Sequence, residues 1–84
     1  MLAKDAETVA ANVCAAVLSN GRRDGRFSLS IDELRLAMHL SEDQVKVASL
    51  LAANRQWVRL IDDQVVELRA AGIYVAKVTL DLPR

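Results

Sequence analysis

Three pairs of adjacent carboxylates, Asp32-Glu33, Glu42-Asp43 and Asp62-Asp63, are the groups in this chain best suited to move protons, and His39 and Cys14 are its lone histidine and cysteine. General acid–base work needs two groups converging on one substrate atom. Sequence neighbours point in different directions, so each doublet reads as capping or turn residues. His39 has no cysteine, histidine or carboxylate companion at ligand spacing, so no metal site is expected. One cysteine excludes an intrachain disulfide and any cysteine-based zinc or iron–sulfur site. Cys14 lies beside an apolar helical face and reads as a small core residue. With no glycine-rich phosphate loop and no nucleophile elbow, no catalytic residue, enzyme activity or cofactor is expected.

Binding chemistry remains. Arg22, Arg23 and Arg26, offset by Asp24, give a locally basic loop, and Arg59 adds a further cation downstream. Such residues neutralise phosphates, or simply keep a small apolar protein dispersed in water. The whole chain carries 11 Lys+Arg against 11 Asp+Glu, so no global field draws it to nucleic acid or anionic lipid. Trp57 reads as an anchor at the edge of a core, a residue type that also serves interfaces.

The elements must position these groups. With 84 residues, 52% of them hydrophobic and 26% charged, the chain is one domain, residues 1–84, with one small core. The uncharged stretch Thr8 to Asn20, broken by Asn12, is shorter than the roughly 20 apolar residues that span a bilayer. Asp5 and Glu7 stand where a signal peptide carries basic residues, so a cytoplasmic chain without membrane contact is expected. Leu2, Ala6, Val9, Ala10, Val13 and Val17 share one face of a helix over residues 1–19. Asn20-Gly21 is expected to end it in the left-handed conformation. A mobile loop runs to Arg26, and Phe27-Ser28-Leu29 is a stub of strand.

Ser30 and Glu33 form a capping box opening a helix over 31–39, with Ile31, Leu34, Ala37 and Met38 on its apolar side. Ser41 and Gln44 form a second box opening a helix over 42–55, with Val45, Ala48, Leu51 and Ala52 inward. Trp57 to Ile61 and Gln64 to Leu68 are β-rich runs around Asp62-Asp63, a hairpin over 57–69. Residues 70–80 divide evenly between helix and strand character, and 81–84 are expected to fray. The small residues Ala11 and Ala15 on the far side of the first helix, and the apolar Ile73, Val75, Val78 and Leu80, suit a homodimer.

The order helix, strand stub, helix, tight turn, helix, hairpin resembles the winged helix-turn-helix family. Ile31-Asp32-Glu33-Leu34 is similar to the "(I/L)-x-E-L" opening of its second helix. Leu40-Ser41-Glu42-Asp43-Gln44-Val45 is similar to the "LS-x-x-x-V" turn into its third. Trp57-Val58 resembles the apolar pair that opens the wing, and Val66-Glu67-Leu68 with Gly72 resembles its "V-x-L-T-x-x-G" close. The likeness spans roughly residues 1–78. It implies an α+β fold: a three-helix winged helix-turn-helix with a β-hairpin wing and a short terminal helix or strand.

In that family the third helix commonly enters the DNA major groove while the wing touches the backbone. The implied function is a small, dimeric, DNA-binding transcriptional regulator. Gln44, Lys46 and Asn54 are then the base-contact candidates, and Arg22, Arg23, Arg26 and Arg59 the phosphate-contact candidates on double-stranded DNA. The alternative is a protein-interaction module, an adaptor or inhibitor of the kind phages and mobile elements encode. Its partner surface would be Val47 and Leu50 on the third helix with the acidic wing tip Asp62 and Asp63. The third helix is electrically neutral and opens on two acids, which weighs against an ordinary base reader.

Overall fold

The computed structural model describes residues 3–23 and 27–80, with side chains for 6–21 and 27–80. Elements run in the order α1 Ala3–Asn20, β1 Arg22–Arg23, β2 Phe27–Ser30, α2 Ile31–Met38, α3 Glu42–Asn54, β3 Val58–Ile61, β4 Val65–Leu68 and α4 Ala70–Leu80. The expected α+β class holds, with a fourth helix. Residues 70–80, divided in character, form that helix. Leu2, Arg26 and 81–84, which were given expectations above, lie outside the described residues.

Helix α1 runs through the centre of the molecule. Ala10, Val13, Cys14 and Val17 are fully buried, as the apolar face requires. Ala15 and Leu18 are buried as well, because α4 packs along a second side of the helix while α3 and α2 occupy the first. Ala15, expected to be free for a partner copy, is thus covered within its own chain. Neither Asn20 nor Gly21 turns left-handed. Gly21 instead suits a close approach: a β-carbon there would sit 2.7 Å from the Ser28 carbonyl of β2.

The sheet is antiparallel in the order β1-β2-β4-β3. Residues 22–23, expected in a mobile loop, pair with β2. Leu29, Val66 and Leu60 stand opposite one another across β2, β4 and β3, and the first two are buried. Alternation along each strand sends the row Ser28, Glu67, Arg59 to the opposite face of the sheet. The inner row packs beneath α1.

Both capping boxes form. Ser30 Oγ accepts from the Glu33 N–H and Glu33 Oε1 from the Ser30 N–H. Ser41 and Gln44 repeat the exchange at 3.2 and 2.9 Å. Helix α2 ends one residue earlier than expected because His39 turns left-handed, φ 55°. His39 and Leu40 both donate backbone N–H groups to the Arg35 carbonyl. Ala37, placed on the apolar side, is exposed; Ile31 and Leu34 alone on this helix are buried.

Helix α3 also stops one residue short of expectation, at Asn54. Gln56 is left-handed, φ 63°; its N–H bonds to the Ala53 carbonyl and the Trp57 N–H to the Ala52 carbonyl. That is a Schellman ending. The hairpin strands are shorter than 57–69 because Asp62 and Asp63 are both left-handed, φ 52° and 55°, and form the turn between them. Asp tolerates this conformation, and two consecutive left-handed residues match the twist of a hairpin. Trp57 is half-buried against the core, as expected of an anchor. Its carbonyl accepts the Arg69 N–H at 2.9 Å, and a β-carbon on Gly72 would collide with that carbonyl. Gly72 therefore lets α4 seat directly on the start of the hairpin.

Four outcomes test this architecture. Gly72→Ala should lower stability by about 2 kcal/mol through forced displacement of α4, seen as a fall of roughly 8–16 °C in Tm. Gln56→Gly should raise stability by about 0.5–1 kcal/mol in urea unfolding, since glycine carries no β-carbon penalty there. Burial pushes the Cys14 thiol up from 9.0 to about 11, a backbone hydrogen bond opposing in part. The folded state thus holds its thiol proton more tightly than the unfolded chain. Stability should be unaffected below about pH 9 and decline as pH rises from 9 to 11. Disulfide-exchange reagents at pH 8 should label the native protein only at the rate of unfolding.

Candidate binding face on the third helix and hairpin

Helix α3 buries Val45, Ala48, Ser49 and Ala52 and half-buries Leu51, so its opposite side faces water. The expected outward set of Asp43, Lys46, Val47, Leu50 and Asn54 is exposed. Val47 and Leu50, at helical i,i+3 spacing, are 60% and 58% accessible. Helix α2 connects to α3 through only His39, Leu40 and Ser41, and α3 packs against β3 of the hairpin.

Two polar groups on the face are engaged within α3. Gln44 spends its side-chain carbonyl on the cap. Lys46 Nζ lies 2.9 Å from Glu42 Oε2, one turn away. This hydrogen bond, and then the attraction of the two charges, lowers the Glu42 carboxyl and raises the Lys46 ammonium from their ordinary values. Asp43 and Asp63 reinforce the Lys46 charge, while Arg35 acts on Glu42 from α2. Asn54 is exposed at the last residue of α3, about 12 Å along the helix from Lys46. Beyond it, Arg55 turns away, bonding Glu7 of α1 at 2.7 Å and lying 5.8 Å from the Trp57 ring centre.

Arg59 does not stand beside Lys46. Arg59 is exposed on the face of the hairpin opposite Leu60, and Leu60 lines the cleft that Lys46 overlooks. Arg22 pairs with Ser28 at the far edge of the sheet, three strands from Arg59, with Glu67 in the row between them. Arg23 pairs with Phe27 on the same edge strand. Asp62 and Asp63 are exposed at the hairpin turn.

Two concavities flank α3. One, about 320 Å³, lies between α1 and the start of α3; Ala6, Val9, Leu40 and Val47 make it almost wholly apolar. The other lies between α3 and the hairpin turn. It comprises two adjoining cavities of about 310 and 350 Å³ that share Ile31, Lys46 and Asp63. Ser49 lines the first of these; it is fully buried, and its hydroxyl has no hydrogen-bond partner. Sequence periodicity could not single out Ser49, because a serine every turn or so is ordinary on a helix. The Glu42–Lys46 pair was legible from its i,i+4 spacing.

Among the described residues no group of three His, Cys, Asp or Glu could hold a metal ion, and no helix is long and apolar enough to cross a membrane. Comparison of the chain with known protein families, curated proteins and solved structures finds no match.

Proposed function

We propose that the chain is a winged helix-turn-helix domain that binds a protein partner through the outer face of α3 and the acidic hairpin turn. The observation that carries this reading is the exposed aliphatic pair Val47 and Leu50 on a helix whose one lysine is bonded to Glu42. Aliphatic side chains centred in a patch and rimmed by charge are what protein interfaces desolvate. Gln44 and Lys46 bond within α3, and Arg59 lies on the far face of the hairpin. The apolar groove at Leu40 and Val9 adjoins Val47 and extends the same surface.

A second reading, a dimeric DNA-binding regulator, keeps one observation in its favour. Two helices joined by three residues, with the second unpartnered on its outer side, match the way helix-turn-helix proteins enter the major groove. In either reading self-association falls to α4, where Tyr74 and Val78 are 71% and 60% accessible.

The readings separate cleanly. Fluorescence anisotropy with a mixed-sequence duplex should show no binding at about 50 mM salt. Tight binding that weakens steeply by about 200 mM would establish phosphate contacts and the second reading. Leu50→Asp should weaken a captured protein partner at least tenfold, as loss of a central apolar contact does. Lys46→Glu combined with Arg22→Glu should leave that partner nearly unaffected and would abolish binding to DNA.

A further inference from the structure

Resting on the partner-surface reading, the geometry points to the chemistry of the partner: a basic, amphipathic protein segment whose arginine or lysine enters the cleft between α3 and the hairpin turn. The cavity of about 350 Å³ brings three carboxylates from three elements together, Asp32 from α2, Glu42 from α3 and Asp63 from the turn, and Asp63 with Lys46 carries it into the adjoining cavity lined by Ser49, Leu50 and Leu60. A single ammonium, Lys46, faces them. At the periphery Arg35 and Asp43 act on Glu42 and Lys46 and add one charge of each sign. The opening is therefore acidic in a chain that is neutral overall.

Acidity alone would mark only a solvated rim. The walls add a second requirement. Leu50 and Leu60 form an apolar flank, and a long cationic side chain lays its methylene stem on such a surface while its head stays among carboxylates. Ser49 adds a third. Its hydroxyl is fully buried without a hydrogen-bond partner, and it lines this cleft rather than the groove beside α1. A buried hydroxyl without a partner carries a desolvation cost that a ligand donor entering the cleft relieves. Guanidinium offers five such donors on a planar head. A phosphate or an acidic peptide would meet three carboxylates and is excluded on charge.

The test uses the full chain, uniformly labelled for amide NMR, and two twelve-residue amphipathic helical peptides. One carries leucine on one face and arginine on the other, and the second replaces every arginine by glutamate. The arginine peptide should shift the amides of Lys46, Ser49, Leu50 and Asp63 and bind in the micromolar to millimolar range. Asp32→Asn with Asp63→Asn should weaken it roughly three- to tenfold, the scale of two partly exposed charge pairs. Asparagine keeps the left-handed turn at position 63, so the fold is retained. Lys46→Ala should strengthen it, because the competing cation is gone.

Equal binding of the two peptides at these same residues overturns the basic-partner inference while leaving α3 as a protein surface. So does binding unchanged by the paired asparagine variant. Shifts confined to the groove at Leu40 and Val9 place the occupant elsewhere and overturn the inference too. Response of the α3 face to duplex DNA, with neither peptide binding, overturns the inference and the partner-surface reading together.

Discussion

Everything in this molecule depends on burying one slender helix from several directions at once. The central positions of α1 are Ala10, Val13, Cys14 and Val17, all small or β-branched, and all inaccessible to water. Slender side chains let α3 and α4 approach on two sides while the sheet closes from beneath. A small domain has little core to spare, so covering a second side of one helix adds burial that a three-helix arrangement would lack. The same packing buries the lone thiol and raises its pKa.

That constraint propagates to the binding face. Because α4 seats against α1, it must cross the start of the hairpin, and Gly72 permits contact with the Trp57 backbone. Trp57 in turn takes up the Ala52 carbonyl and ends α3. Helix α3, hairpin and α4 are thus tied at a single point. The outer side of α3 and the turn at Asp62-Asp63 are left as fixed neighbours, rather than as two mobile arms.

The electrostatics of that face follow from helix physics as much as from any partner. Glu42 and Asp43 favour the N-terminus of α3, where exposed N–H groups carry partial positive charge. Lys46 one turn later completes a favourable pair with Glu42. These choices stabilise the helix. On the opposite side of the hairpin, Arg59 stands directly across from Glu67, a cross-strand pairing of unlike charges. Local stability and the neutral character of the surface have the same origin.

How much was legible in the sequence divides along the range of the forces involved. Capping boxes, the burial of Val45, Ala48 and Ala52, the exposure of Val47 and Leu50, and the hairpin are set by neighbours within a few residues. Periodicity and side-chain chemistry reported them correctly. The left-handed endings at His39 and Gln56 went unseen because neither residue type announces that conformation as glycine does. Residues 70–80 carry no polar stripe to mark a period, and contact with α1 decided that they are helical. Tertiary packing alone also covered Ala15, placed Arg59 on the face away from Lys46, and brought Asp32, Glu42 and Asp63 to one cleft. Pattern along a chain encodes which side of an element faces inward, whereas the element that comes to lie against it depends on contacts many residues apart.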